Sequence, residues 1–163
     1  VLDIGGQDSK AISLLENGKV KKFEMNDRCA AGTGKFLEMM ANTLGFEIDE
    51  FGNRALQAKE ELTISSMCAV FAESEVTSLI AKGVEREKIA RGIHISVVNR
   101  AVGMLNRVSQ EGHIVFTGGV AKNECVCSLL KERLQREILI PPDAQMVGAL
   151  GAALILKEAV VLK

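Results

Sequence analysis

Two stretches of the sequence place a pair of glycines directly after a short apolar segment. The first runs from Asp3 through Gly5 and Gly6, and the second contains Gly118 and Gly119. Glycines let the backbone approach a ligand closely, and consecutive free N–H groups in such a turn can hold phosphate oxygens. The Asp3 carboxylate, at a strand end, could hold a metal-bound water. Each stretch taken singly is also explained by a plain turn, but two of them favour a ligand site.

A third glycine-containing segment covers residues 26–35. Its Gly32-Thr33-Gly34 sequence stands just before residues with helical spacing, so its backbone amides could bind an anion at a helix N-terminus. The segment lacks the spacing of a P-loop, and we exclude that motif. The alternative is a helix-capping loop in which Thr33 is the N-cap.

Four cysteines form two pairs of different character. Cys29 and Cys68 are each predicted to lie at the start of a helix, where the helix dipole favours the thiolate, and thiolates bind soft metal centres such as iron–sulfur clusters. Their separation, 68 − 29 = 39 residues, matches no local metal motif, so the residues alone favour two buried free thiols. Cys125 and Cys127 point to different faces of a predicted helix and are interpreted as structural.

Composition excludes several classes of function. The 163 residues are 47% apolar and 25% charged, with a net charge of 20 − 21 = −1 and 4% aromatic residues, which argues against a nucleic-acid partner. No apolar run reaches about 18 residues, so we expect no membrane span. The cysteine content does not indicate a secreted disulfide scaffold, and we expect a cytoplasmic protein. His94 and His113 have no acid or thiol partner nearby in sequence, so no catalytic base is assigned.

Hydrophobic spacing predicts a mixed α/β domain in which strands come first, then helices, then a βαβα unit. Asn17-Gly18 predicts a hairpin turn, and Gly45 and Gly83 predict helix ends. Strands are predicted at residues 1–4, 10–15, 20–25, 114–117 and 138–140, and helices at 36–44, 49–59, 69–82, 86–108, from Gly119 to about 136, and 144–159.

Five segments together resemble one known family along the whole chain and in order. They are residues 3–10 (DIGGQDSK), 25–34 (MNDRCAAGTG), 65–76 (SSMCAVFAESEV), 117–123 (TGGVAKN) and 148–153 (GALGAA). They are similar to the activator, or archerase, components of 2-hydroxyacyl-CoA dehydratases, a family that includes ATPase subunits of benzoyl-CoA reductases. The resemblance implies the actin/hexokinase/Hsp70-like ATPase fold, a ribonuclease H-like mixed sheet flanked by helices.

The same resemblance assigns roles to individual residues and reverses the interpretation of two thiols. It implies a homodimer in which Cys29 and Cys68 of each subunit hold one shared [4Fe–4S] cluster. It further implies binding of ATP or ADP with Mg²⁺. Asp3 and Gln7 are the implied catalytic residues, Gly5 and Gly6 belong to the second phosphate loop, and Gly118, Gly119 and Gln145 line the adenosine side.

By resemblance, ATP hydrolysis drives one low-potential electron onto a dehydratase or benzoyl-CoA reductase component, with reduced ferredoxin or flavodoxin as the donor. The family's N-terminal domain, with the first phosphate loop, is not found before Val1. We therefore expect residues 1–163 to be the C-terminal part of such an ATPase, with weak ATP binding and hydrolysis on their own. The alternatives are a sugar- or acetate-kinase-like phosphotransferase, with Asp3 or Asp8 as the base, and a non-catalytic ATP-sensing module. A kinase does not explain Cys29 and Cys68.

Overall fold

A mixed β-sheet organises the chain in the computed structural model, which describes residues 1–64 and 68–161. The strands are β1 Leu2–Ile4, β2 Ser9–Leu14, β3 Val20–Asn26, β4 Ile114–Thr117 and β5 Ile138–Leu139. Strands β1 and β2 pair antiparallel, as do β2 and β3, whereas β4 lies parallel to both β1 and β5. The order across the described sheet is β3-β2-β1-β4-β5. This arrangement brings the C-terminal ends of β1 and β4 side by side.

The predicted hairpin between β2 and β3 is confirmed. The Leu15 amide donates to the Lys19 carbonyl over 2.8 Å, and the Asn17 side chain accepts from the Lys19 amide at 3.1 Å. Gly18 has a φ of 79°, a conformation that glycine adopts without a steric cost. The Asn-Gly pair therefore closes the turn for the reason that the sequence suggested.

Six α-helices occur in the described ranges, and the predicted 86–108 helix is confirmed at both ends. Gly45 ends the first helix in the left-handed conformation (φ 71°), and its amide bonds to carbonyls of the last turn. The helices are α1 Gly34–Leu44, α2 Ile48–Gln57, α3 Ala69–Ala81, α4 Arg86–Val108, α5 Glu124–Leu134 and α6 Val147–Val161.

The two C-terminal helices differ from their predicted bounds. A 3₁₀ turn, Gly119–Lys122, precedes α5, and Asn123 interrupts the helix because its side chain caps the amide of Val126 at 3.0 Å. The last helix begins at Val147 rather than at residue 144. Residue Ala144 is held outside it, since its carbonyl accepts a hydrogen bond from Gly118.

The hydrophobic core lies between the sheet and helices α1, α2, α4 and α5. In β1, Leu2 and Ile4 are buried while Asp3 points to the other face of the sheet and stays half-buried. In contrast, α6 is largely apolar, and its side chains over residues 147–157 are mostly exposed. No helix within residues 1–64 and 68–161 is long and apolar enough to cross a membrane. Large core side chains include Phe36, Met40, Phe51, Ile93, Phe116 and Leu129.

Candidate functional site

A carboxylate and a hydroxyl meet where the two glycine segments begin. Asp3 pairs with Thr117 across the parallel β1–β4 ladder, and the Thr117 hydroxyl donates to Oδ2 of Asp3 at 2.6 Å. Lys10 Nζ lies 3.6 Å from Oδ1 of Asp3 and 2.6 Å from Oδ1 of Asp8. Partial burial opposes the charge on Lys10, but the hydrogen bond and charge of Asp8, with the charge of Asp3, outweigh it and raise the pKa of Lys10. The result is a polar cluster at the C-terminal edge of two strands.

The first glycine pair forms a tight turn that is hydrogen-bonded to the N-terminal residues of α1. The Gly5 amide donates to the Asp8 carbonyl at 2.9 Å, closing the turn. The carbonyls of Gly5 and Gly6 accept from the amides of Gly34 and Lys35 at 2.8 and 2.7 Å. Gly6 is exposed, and a Cβ added to it would meet no atom within 4 Å. One side of this turn is therefore open for a ligand to approach the backbone.

The segment before α1 has Thr33 at the predicted N-cap position, but it offers no anion site at Gly34 and Lys35. Its amides at Gly34 and Lys35 are taken by the Gly5 and Gly6 carbonyls, so they are not free to bind an anion. Thr33 occupies the N-cap position, but its hydroxyl makes no capping bond and donates to the Ala30 carbonyl at 2.6 Å instead. The segment thus serves to hold the first glycine turn.

The second glycine pair sits against the first strand. Gly118 has a φ of 88°, and a Cβ there would lie 2.3 Å from the Ile4 carbonyl oxygen. Its amide donates to the Ala144 carbonyl at 2.9 Å, which brings Gln145 next to Gly119. Only glycine fits this crossing of β1, β4 and the loop before α6.

A cavity of about 400 Å³ opens beside the second pair. Gly119 and Gln145, both predicted site residues, line it together with Gly34 of α1. Lys122 donates to Oε1 of Gln145 at 2.9 Å and fixes the orientation of that amide. The volume is in the range of small-molecule sites. Asp3, Gln7 and Gly118 do not line the cavity, although the Gly5-Gly6 turn adjoins it through Gly34.

One wall of this cavity, which α2 supplies, was not predicted from the sequence. Asp49, Gly52 and Asn53 line it, opposite Asn123. A Cβ on Gly52 would approach Oδ1 of Asn123 to 2.8 Å, so α2 packs closely only because this position lacks a side chain. The glycine inside a short predicted helix was the available signal, because such a glycine costs helix stability and needs a packing reason.

His94 lies behind this wall and is completely buried. Its Nδ1 is 2.7 Å from the Ala90 carbonyl, and its Nε2 is 3.0 Å from Nδ2 of Asn123. Burial lowers the pKa of His94 to about 4, so the ring is neutral and accepts from Asn123 through Nε2. His94 therefore orients Asn123, which both caps α5 and lines the cavity.

Cys68 and Cys29 occupy different local positions. Cys68 is the N-cap of α3, exposed, and its carbonyl accepts from the Ala72 amide at 2.9 Å. Cys29 is half-buried in the segment before α1, five residues ahead of Gly34, so the prediction that it starts a helix is wrong. Helices α1 and α3, which follow the two thiols along the chain, contact each other. Residues 65–67 of the predicted cysteine motif lie outside the described residues.

The other two thiols have an environment that disfavours ligation. Burial raises the pKa of Cys125 to about 12, and burial likewise raises the pKa of Cys127, whose thiol donates to the Ala121 carbonyl. Both therefore keep their protons, in agreement with a structural role. No three or more His, Cys, Asp or Glu side chains in the described ranges come together as a metal site. One chain alone thus presents an exposed Cys68 and a half-buried Cys29, and no closed metal site among its described residues.

Comparison with known proteins defines the class. The fold is that of the actin/hexokinase/Hsp70-like ATPases, as the resemblance implied. More narrowly, the chain belongs to the BadF/BadG/BcrA/BcrD ATPase family, whose sequence pattern matches residues 1–155.

Three relatives illustrate the match. The chain is 49% identical over 159 residues to the activator of lactoyl-CoA dehydratase of Anaerotignum propionicum, covering 98% of this chain and 61% of that protein. The activator of the 2-hydroxyisocaproyl-CoA dehydratase from Clostridium difficile, solved with bound ADPNP, superposes with a TM-score of 0.89 at 42% identity, covering 94% and 57%. The Acidaminococcus fermentans (R)-2-hydroxyglutaryl-CoA dehydratase component A gives 0.89 at 49% identity, covering 94% and 59%. The chain spans about three fifths of the length of these relatives.

Proposed function

We propose that this chain is the nucleotide- and cysteine-bearing part of an ATP-dependent activator. In this proposal it delivers a low-potential electron from a [4Fe–4S] cluster, shared by two copies of the chain, to a 2-hydroxyacyl-CoA dehydratase or benzoyl-CoA reductase component. Reduced ferredoxin or flavodoxin is the proposed electron donor. Residues 1–163 are proposed to be the C-terminal part of the whole ATPase.

One structural relationship carries this proposal. The first glycine turn and the segment bearing Cys29 are joined, because Gly34 and Lys35, at the end of that segment, donate to the carbonyls of Gly5 and Gly6. A ligand that contacts the Gly5-Gly6 turn therefore acts on the same backbone unit that positions Cys29. Neither a kinase nor a simple ATP sensor requires a cysteine in this position.

The nucleotide assignment combines the turn and the cavity. The solved C. difficile activator contains ADPNP, and this chain superposes closely on it. We propose that the backbone of Gly5 and Gly6 would approach the phosphates of the nucleotide. Asp3 and Gln7 would hold the Mg²⁺-bound phosphate and its water. The adenosine would be held by Gly118, Gly119 and Gln145. Asp3 suits this role because it lies half-exposed near the strand end, with Thr117 bonded to its Oδ2 and Lys10 3.6 Å from its Oδ1.

The donor set fits an iron–sulfur cluster shared across a symmetric dimer. Such clusters take thiolate ligands, and a Cys₄ set needs two thiols from each of two identical chains. Cys68 is exposed and Cys29 is half-buried, and they precede two helices in contact. A cluster bound there would supply one-electron chemistry at low potential. The chain's own contribution is to present these thiols on elements tied to the nucleotide turn.

The test is ATP-dependent electron delivery. The whole ATPase, of which residues 1–163 are proposed to be a part, is reconstituted and reduced anaerobically and mixed with a purified 2-hydroxyacyl-CoA dehydratase, with ATP or with ADPNP, and its oxidation is followed in the visible spectrum. We expect an oxidation rate that needs ATP and falls at least tenfold in Cys68→Ser, while Cys127→Ser matches the wild type. ATP-dependent phosphorylation of a small molecule at an equal rate in both variants would contradict the proposal and favour the kinase alternative.

A further inference from the structure

One side chain holds the backbone around Cys29 by three hydrogen bonds. Nδ2 of Asn26 donates to the Cys29 carbonyl at 2.9 Å and to the Ala31 carbonyl at 3.3 Å. Oδ1 of Asn26 accepts from the Cys29 amide at 3.3 Å. A single amide group thus spans residues 29 to 31 and uses both its donor and its acceptor atoms.

Asn26 is itself anchored to the sheet. It is the last residue of β3 and pairs in register with Ser9 of β2, which follows directly on Asp8 of the first glycine turn. Ser9 is buried, and its hydroxyl lies 3.8 Å from the sulfur of Met104 in α4. The backbone that carries the Asn26 side chain is therefore part of the sheet, next to that turn.

The other supports of the held segment lie at its C-terminal end, where Ala31 is buried and the Thr33 hydroxyl donates to the Ala30 carbonyl at 2.6 Å. Asp27, Arg28 and Ala30 are exposed, so their side chains add little packing. Gly32 reverses the chain with a φ of 93°, and the Cδ of Arg100 lies 3.1 Å from where its Cβ would be, so α4 closes off the far side. Between the end of β3 and this turn, the Asn26 amide makes the side-chain hydrogen bonds that fix the Cys29 backbone.

We propose that Asn26 is the positioning residue for Cys29. It fixes the place and the accessibility of that thiol relative to the nucleotide turn, and it does so without touching the metal or the nucleotide. This inference rests on the proposed function for its purpose, since a cluster thiol needs a defined position. Its physical content, the restraint of Cys29 by Asn26, is independent of whether a cluster binds.

The restraint is tested on the unloaded chain by the rate of thiol alkylation. Iodoacetamide labelling of each cysteine is followed by peptide mass spectrometry, with half-buried Cys127 as the internal reference. Losing the three bonds lets the segment open more often, so we expect Asn26→Ala to raise the Cys29-to-Cys127 rate ratio about tenfold. Asn26→Asp keeps the size and one acceptor but loses both donated bonds, and we expect a smaller rise of about threefold. Asn99→Ala is the matched control and should leave the ratio unchanged, because Asn99 of α4 lines a second cavity together with Asn26.

Two measurements distinguish a local effect on Cys29 from general unfolding of the chain. Unfolding would expose buried Cys125 and raise its labelling too, whereas a local effect leaves Cys125 unlabelled in the Asn26 variants. After reconstitution with iron and sulfide, we expect Asn26→Ala to bind iron but to lose it to a chelator several-fold faster than Asn99→Ala. An unchanged ratio in both Asn26 variants would overturn the proposal. If the wild-type chain bound no iron, the proposed function would fail while the labelling result still decided the role of Asn26.

Discussion

The hydroxyl of Thr117 donates a 2.6 Å hydrogen bond to the carboxylate of Asp3, and this contact joins two segments 114 residues apart in sequence. It fixes the ends of β1 and β4, after which the two glycine pairs turn away from the sheet. Ligands in open α/β sheets lie outside the carboxyl ends of such strands. The paired strand ends therefore define one site from two motifs that each looked weak alone.

Gly118 is predicted to tolerate no side chain. In Gly118→Ala the Cβ would lie 2.3 Å from the Ile4 carbonyl oxygen, on a backbone whose φ of 88° already disfavours alanine. We expect the free energy of unfolding to fall by at least about 3 kcal/mol, measured by denaturant titration with circular dichroism. Gly148→Ala is the control, because its Cβ meets no atom within 4 Å and should leave stability equal or slightly higher. Equal stability of both variants would contradict the crossing of Gly118 and Ile4.

Gly6 is predicted to matter for ligand binding and not for folding. A Cβ on Gly6 meets no protein atom within 4 Å, so Gly6→Ala should unfold like the wild type. The added methyl would stand where phosphate oxygens approach the backbone, and we expect at least a tenfold weaker affinity for ADPNP by calorimetry. The control is again Gly148→Ala. Gly83→Ala is not used as the control, because the positive φ of Gly83 disfavours alanine. Unchanged affinity in Gly6→Ala would remove the turn from the nucleotide site.

Burial of neutral His94 predicts acid sensitivity. Its pKa is lowered to about 4 in the folded chain from 6.5, so between these values the unfolded state binds a proton that the folded state does not. Stability is therefore full above about pH 6.5 and declines as the pH falls towards 4, by about 3 kcal/mol in total from this group.

The matching variant is His94→Gln. It should be less stable than the wild type at pH 7, since it loses the ring contact with Phe51 at 4.6 Å, but it should show a smaller decline from pH 7 to 4. His113→Gln is the control, because His113 is exposed and paired with Glu137, and it should keep most of the wild-type decline. The measurement is the unfolding free energy at several pH values, and an equal decline in His94→Gln would refute this assignment.

Much of the fold was readable because local signals agreed. The α4 spacing is regular over 23 residues, and the Asn-Gly turn and Gly45 cap are strong local markers, so these elements were predicted closely. The errors fell where long-range contacts decide the backbone. Gly118 holds Ala144 out of α6, and the carbonyls of Gly5 and Gly6 occupy the amides that seemed free at Gly34 and Lys35.

The site was predicted in part for the same reason. Asp3 lies within the short strand β1 and the glycine pairs follow β1 and β4, and spacing identifies such positions. The wall supplied by α2 and the His94–Asn123 contact depend on how helices pack, which no spacing in the sequence encodes. Likewise the role of Asn26 became visible only from the three distances around Cys29.

The central claim is that two chains share one cluster through Cys29 and Cys68. The most direct measurement is anaerobic reconstitution with iron and sulfide, followed by metal analysis, visible spectroscopy and sizing of the product. The absence of Trp and Tyr leaves the spectrum of the protein itself clean. We expect a brown dimer with about four irons per two chains, lost in Cys29→Ala and in Cys68→Ala but retained in Cys127→Ala. A colourless protein after reconstitution, or iron that persists in both Cys29→Ala and Cys68→Ala, would contradict it.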